Sequence, residues 1–464
     1  MDDISFKPVF LKAPITMQME LTTECNEGCE YCYNYFRYCD SNVNNNAIRI
    51  LDKPKINLES QKKDDFIRYI NKINQAEVFY VTLTGGEPFL RKDIIYDVIK
   101  KFNDFNIDVS INSNLSAVSQ RDLVKLNDYK ILNILTSLSS FDRLKHNKIT
   151  NSNSYDKILR NIEFLIDNDV MVGVSMVVDK NNLEDVFKTG KFLSGLGIHS
   201  FYATPMSPTK ENKEIHEKII LDKKEVIDVL YELVDLEEKY KIHTGTLEPL
   251  PHCLIFHHSG LEKFLQRSCS AGTTTATVGV DGGVRPCSHN DSVYGYLDEE
   301  NLRDIWKKMS SWKNRKYIPT ECQGCDAVNR CLGGCRTGAQ AIGGDLNDKH
   351  YLMEGPLKLI KEAKNPIETI INKEYIIPNS LKFRKDNDGF YVLYRNPQSV
   401  AILNEAELNL VALIKKKYLN SFTPNHLIQY LELNQSQSNF LGYLVRNGIL
   451  MESVGGNTNG GKSS

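Results

Sequence analysis

No run of the 464 residues is apolar enough, for long enough, to form a transmembrane helix. The first residues, Met1-Asp2-Asp3-Ile4-Ser5-Phe6-Lys7, lack the basic-then-apolar order of a secretory signal. Neither sign of charge dominates: 57 Lys and Arg stand against 59 Asp and Glu, for a net charge of −2. That balance removes any general reason to expect nucleic acid or an anionic membrane as a partner. Cysteine is absent after Cys335, yet the residues before that point hold all 11 of them. With no export signal, the expected compartment is the cytoplasm, where clustered cysteines bind metal more often than they form disulfides. The remaining composition, 41% hydrophobic and 25% charged, is that of an ordinary globular chain of roughly two to three domains.

The most informative cysteines lie in Cys25-Asn26-Glu27-Gly28-Cys29-Glu30-Tyr31-Cys32, just after the alternating run Ile15–Leu21. Four thiolates close a four-iron cubane, so three leave one iron open. An open metal position points to chemistry rather than structure. A zinc knuckle is the plainer alternative. The spacing, with an aromatic residue before the last cysteine, resembles the radical S-adenosylmethionine (SAM) enzymes. That resemblance implies a [4Fe–4S] cluster whose open iron chelates SAM and whose electron splits it to a 5′-deoxyadenosyl radical.

Beyond the loop, strand and helix patterns alternate. Strands are expected at 78–83, 107–111, 131–138, 170–178 and 200–205, with helices near Phe66–Ile73, Ile94–Phe102, Leu123, Ser154–Asp167 and Leu183–Leu193. With the strand before Cys25 these make six βα units, hence an α/β fold with a parallel sheet. The radical SAM resemblance makes it a partial (βα)6 TIM-type barrel over residues 10–210, with reactive groups at the C-terminal strand ends. Those ends carry Thr84-Gly85-Gly86-Glu87-Pro88, Asn112-Ser113-Asn114 and Thr136-Ser137-Leu138-Ser139. By resemblance, Gly85, Gly86 and Glu87 hold the SAM amino group, and Asn114 and Ser137 its ribose or carboxylate. Tyr31 lies at the adenine through its backbone. For Asn114 and Ser137, strand-end capping is the alternative. No catalytic side chain is singled out.

Residues 211–250 are expected to form a helical bridge whose apolar stripe serves packing, broken by Thr244–Pro249. Residues 251–355 contain the second cysteine field: Cys269, then Gly282, then Cys287, and the compact Cys322, Cys325, Cys331, Cys335. Val278–Val284 reads as a hairpin with an Asp-Gly turn. Zinc is again the plain alternative for the Cys-x-x-Cys pair. These spacings resemble the SPASM extension of radical SAM enzymes, which carries auxiliary [4Fe–4S] clusters. By that correspondence Cys269, Cys287 and Cys335, with Cys253 as a candidate fourth, hold one cluster, and Cys322, Cys325 and Cys331 the other. Cys253 is otherwise a buried thiol or hydrogen-atom donor. The family pattern ends in a further cysteine that this chain lacks. Asp345, Asp348 or His350 is the expected replacement, unless the open iron binds substrate. Cys39 fits no spacing and is expected to be structural.

Residues 374–455 contain no cysteine. Three strand patterns followed by three helix patterns suggest a small winged-helix-like domain. Ser436–Asn447 offers only Arg446 to DNA, so an iron–sulfur DNA-binding sensor ranks last. The segment resembles the peptide-chaperone domain, or RiPP recognition element, to which a leader peptide adds as a strand. Residues 456–464 are expected to be a disordered tail. Together these resemblances imply an oxidoreductase-type peptide maturase. It would cross-link a ribosomally made precursor peptide through a thioether or carbon–carbon bond, with flavodoxin or ferredoxin as reductant. The alternative is a sulfatase-maturase-like or tetrapyrrole/small-molecule enzyme.

Overall fold

The computed structural model describes residues 10–34, 62–210, 213–358, 370–418 and 421–453. Cys39, the Asn-rich stretch 41–46 and the 456–464 tail lie outside the described residues. The chain divides into two compact units, 1–359 and 360–464.

The first unit is built on one sheet. Its strands are β1 (Thr16–Glu20), β2 (Tyr80–Thr84), β3 (Asp108–Asn112), β4 (Ile134–Ser137), β5 (Val172–Val178), β6 (Ser200–Pro205), β7 (His243–Gly245), β8 (Thr275–Val278) and β9 (Val284–Arg285). They lie in the order β7-β6-β5-β4-β3-β2-β1-β8-β9. Neighbours from β7 through β8 are parallel, and only β8 and β9 pair antiparallel. The six expected strands are therefore present, as a partial barrel-like sheet. Crossover helices such as Lys63–Gln75 and Ile95–Asp104 bury the expected stripes: Phe66, Tyr69, Ile70 and Ile73 in one, Ile95, Val98, Ile99 and Phe102 in the other.

Three local expectations change. The bridge does not stand apart from the barrel, because His243–Gly245 adds to the sheet beside β6. Its helix is two helices, Lys213–Ile219 and Lys223–Tyr240. Asp222 restarts the second by accepting from Glu225 N at 2.8 Å, and the Glu225 carboxylate accepts from Asp222 N at 2.7 Å. Such a reciprocal cap satisfies two otherwise orphaned amides and outweighs continuity of the apolar stripe. Finally, the hairpin of the cysteine field belongs to the barrel sheet, since β8 covers the edge of β1 that β2 leaves open. A helix at Arg143–Ile149, capped by Asp142, was not expected.

In the second unit, β11 (Lys382–Lys385), β12 (Tyr391–Asn396) and β13 (Ser399–Leu403) form an antiparallel sheet in that order. Before them, β10 (Tyr375–Ile376) pairs with β14 (Met451–Glu452), a two-residue ladder too short to show in the sequence pattern. Helices Glu405–Lys417, Pro424–Tyr430 and Gln435–Arg446 cover a core containing Leu393, Leu403, Ile414, Leu427 and Leu441.

The paired glycines matter at one junction. Leu21 N donates to Thr84 O, Gly86 N to Thr22 O and Glu87 N to Glu24 O, so the end of β2 holds the chain entering the cysteine loop. A Cβ on Gly86 would stand 1.9 Å from Glu24 O, whereas one on Gly195 meets nothing within 4 Å. Gly86→Ala should therefore cost about 1–3 kcal/mol by forcing backbone apart, and Gly195→Ala should cost nothing. Thermal unfolding of both variants beside the parent chain checks this.

Candidate functional site

The cysteine loop leaves the C-terminal end of β1 and is tied down from several sides. Gly28 N donates to Thr150 O at 2.8 Å. Asn34 Nδ2 donates to Gly85 O at 3.1 Å, and Asn26 Nδ2 to Ser116 Oγ at 2.6 Å. His216 Nε2 lies 3.1 Å from Glu30 O. Asn114, at the end of β3, turns its Nδ2 to Asn26 Oδ1 at 3.1 Å and to Cys25 Sγ at 3.9 Å. Cys29 Sγ stands 3.8 Å from a Glu27 carboxylate oxygen. Tyr31 is held by its hydroxyl, 3.1 Å from Ser139 Oγ just beyond β4. Burial, then the charge of Cys29, pushes the Tyr31 phenol well up, so that hydroxyl stays protonated. Ser137 ends β4 and is half-buried. The structure thus gathers Tyr31, Gly85, Gly86, Glu87, Asn114 and Ser137 at the strand ends that flank the three thiols.

Three of these residues, Gly85, Gly86 and Glu87, also make contacts inside the protein. The glycines press against the backbone of the cysteine loop itself, as the contact at Glu24 shows. The Glu87 carboxylate is fully buried and engaged inside the protein. It accepts from Phe89 N at 2.9 Å, Ser113 Oγ at 2.8 Å and Asn114 N at 2.8 Å. So placed, it joins the ends of β2 and β3. Burial outweighs those donors and pushes its pKa up to about 7.

A row of polar side chains crosses the sheet behind the loop. Arg285, Thr277, Gln18, Thr82 and Ser110 are successive register partners on β9, β8, β1, β2 and β3. Gln18 Oε1 and, on β4, Thr136 Oγ1 are buried with no hydrogen-bond partner among the described residues. Arg285 pairs with Glu20 at 2.5 Å, both buried. Buried polar atoms of this kind need a ligand or ordered water.

The remaining described cysteines form two groups. Cys269, Cys287 and Cys335 act on one another electrostatically. Burial first, then the charge of Cys269, pushes the Cys287 thiol up to about 11. Cys335 is raised by burial, then by Glu248 and Cys269. In the other group Cys253 packs with Cys322 and Cys325, not with the first three. Burial, then Cys331 and Cys325, pushes Cys322 up to about 11, and Cys253 adds to the shift. Backbone amides point at these sulfurs: His252 N to Cys331 at 3.2 Å, Glu354 N to Cys253 at 3.3 Å, and Leu357 N to Cys325 at 3.3 Å. Buried thiols that raise one another's pKa, with amides aimed at sulfur, fit a metal centre that takes up thiolate charge. The buried Arg336 guanidinium acts on both groups, through Cys335, Cys269, Cys322 and Cys331.

The three replacements expected for a missing cysteine differ in their surroundings. Asp348 accepts from Asp345 N at 2.8 Å, and Asp345 is exposed. His350 Nδ1 accepts from Leu352 N at 3.2 Å, and burial, then Arg336, lowers its pKa to about 3. No motif points to Arg336, His289 or Glu248. The only sequence signal for Arg336 is its place after the last cysteine, and for His289 its place two residues after Cys287.

Residues 19–193 match the radical SAM superfamily, and residues 269–326 match an iron–sulfur cluster-binding domain, SPASM. The chain is therefore a radical SAM enzyme. More narrowly, it is a radical SAM protein of the SPASM-bearing kind, whose cofactors are SAM, a [4Fe–4S] cluster and auxiliary iron–sulfur clusters. It is 23% identical over 367 residues to the AdoMet-dependent heme synthase of Methanosarcina barkeri, covering 76% of this chain and 98% of that one. Its fold is similar to Streptococcus suis SuiB bound to precursor peptide SuiA, with a TM-score of 0.57, 16% identity, and 74% and 76% of the two chains covered. It is similar also to anSMEcpe with bound AdoMet, with a TM-score of 0.57, 16% identity, and 73% and 94% covered. Among the described residues no helix is long and apolar enough to cross a membrane.

Glu87 sets a pH dependence. Its folded pKa lies above the ordinary carboxylate value, so the folded state binds more protons between about 4.5 and about 7. The stability it contributes is complete below about 4.5 and is lost as pH rises through about 7. Glu87→Gln should flatten that part of the curve, as measured by denaturant unfolding from pH 5 to about 8.

Proposed function

We propose that this enzyme modifies a ribosomally made precursor peptide, forming a thioether or carbon–carbon cross-link. One observation carries the peptide part. In the second unit β11 is an edge strand, and its Phe383 is 66% exposed. An open strand edge with an apolar side chain suits a leader peptide that adds as a further strand. Tethering leader and catalytic unit in one chain then raises the local concentration of the core peptide.

In this reading Cys25, Cys29 and Cys32 hold the SAM-binding cluster. When bound, that cluster supplies the electron that yields the 5′-deoxyadenosyl radical. Tyr31, Gly85, Gly86, Asn114 and Ser137 border SAM. Glu87 positions Asn114 by accepting its backbone N–H, at 2.8 Å. Cys269, Cys287 and Cys335 hold one auxiliary cluster. Cys253 completes the other with Cys322, Cys325 and Cys331. The polar row from Arg285 to Ser110 faces the substrate segment. A flavodoxin or ferredoxin is the reductant, and residues 374–455 are the recognition domain. A second reading, a tetrapyrrole substrate, is favoured by the similarity that spans 98% of the heme synthase.

Anaerobic incubation of the reduced enzyme with SAM and peptides encoded beside its gene should shift one peptide's mass. A changed porphyrin and unchanged peptides would favour the second reading. Cys32→Ala should abolish 5′-deoxyadenosine formation. Phe383→Asp should weaken leader binding about tenfold, or roughly 1.4 kcal/mol, with SAM cleavage kept; equal binding would remove the docking surface. Cys253→Ala should lose the iron of one auxiliary cluster, as measured by iron content and Mössbauer spectra.

A further inference from the structure

The two auxiliary thiol groups are unequal in number. Among the described residues, Cys253 joins Cys322, Cys325 and Cys331, so that group has four sulfurs, while Cys269, Cys287 and Cys335 form a group of three. A cubane has four irons to satisfy, so the smaller group lacks one ligand.

Beside Cys335 the fold supplies other donors. A ligand atom each from Glu248, His289 and Cys335 lies within 4.8 Å of the other two. The backbone enforces this neighbourhood, because Cys335 N donates to Pro249 O at 3.2 Å, next to Glu248. Glu248 Oε1 is buried, and the carboxylate's side-chain hydrogen bond is with the Cys335 thiol. Its nearest cationic candidate, His289 Nδ1, stands 3.8 Å away, beyond a hydrogen bond. The His289 ring is stacked on Tyr33 at 4.1 Å between centroids, which holds its plane. The thiol donor is lost when Cys335 binds metal as a thiolate, and the buried carboxylate then needs another partner. Here the partner within reach is whatever Cys335 binds.

We infer that Glu248 is the fourth ligand of the auxiliary cluster held by Cys269, Cys287 and Cys335. That cluster is then a centre of three thiolates and one carboxylate, while the other is all thiolate. The inference rests on the cluster assignment proposed above. An oxygen donor is a poorer match than a thiolate for this iron. Glu248 would therefore be the ligand that a substrate thiol displaces from iron, the thiol's proton passing to the released carboxylate.

The test uses the full chain, reconstituted anaerobically, in a background of Cys25→Ala, Cys29→Ala and Cys32→Ala so that only auxiliary clusters report. Glu248→Ala should lose about one iron per chain on mild oxidation and give the EPR signal of a three-iron cluster. Glu248→Cys should keep four irons at this site and shift its reduction potential away from that of the parent. If Glu248→Ala keeps its iron through the same oxidation, or if nitrogen hyperfine coupling from a histidine marks the parent cluster, the carboxylate assignment fails. Loss of a whole cluster in Cys269→Ala supports the underlying assignment. Full iron retention in Cys269→Ala, or zinc in its place, overturns that assignment and the inference with it. Circular dichroism on each variant separates lost ligands from lost folding.

Discussion

β1 is hydrogen-bonded along both edges, to β2 on one side and to β8 on the other, and this double pairing organises the first unit. A parallel strand left with an open edge presents unsatisfied amides and carbonyls. Here the second cysteine field closes that edge with its own hairpin. One strand therefore feeds the Cys25 loop at its end while its flank anchors the segment between Cys269 and Cys287. Met17 and Met19 are buried side chains of β1 itself, so a register slip would turn them to its other face and shift both the Cys25 loop and the Cys269–Cys287 segment.

Electrostatics then divides the labour. The strand-end residues hold the first loop through neutral hydrogen bonds, and Glu87 is turned inward to fasten two strands. In the auxiliary region the opposite arrangement holds: thiols, Glu248 and a buried guanidinium are packed where charge is costly. Arg336 is anchored by backbone carbonyls of Gly334, Tyr317, Leu346 and Asp348, and among the described residues no carboxylate pairs with it. A fixed cation beside thiolates favours their charged form. On the sheet itself, Gln18 Oε1 and Thr136 Oγ1 are buried with no hydrogen-bond partner among the described residues.

Much of this was legible in the residues. The six strands, the Asp-Gly hairpin and the stripe of Phe66, Tyr69, Ile70 and Ile73 follow from periodicity, because a buried face repeats whichever partner covers it. The split at Asp222 and the joining of His243–Gly245 to the sheet did not follow. A reciprocal cap and a three-residue edge strand leave almost no periodic signal. Nor did the inward turn of Glu87, which depends on where Ser113 and Asn114 come to rest.

The sequence alone determined the cysteine sets that sit within a few residues of one another, Cys25 with Cys29 and Cys32, and Cys322 with Cys325 and Cys331. Short covalent spacing keeps such thiols close in any compact conformation. Only the tertiary structure decided that Cys253 stands with the second set, and that Glu248 and His289 stand at Cys335. Those residues are separated along the chain, and the backbone bond from Cys335 to Pro249, with the packing of Cys253 against Cys322, is what brings them together.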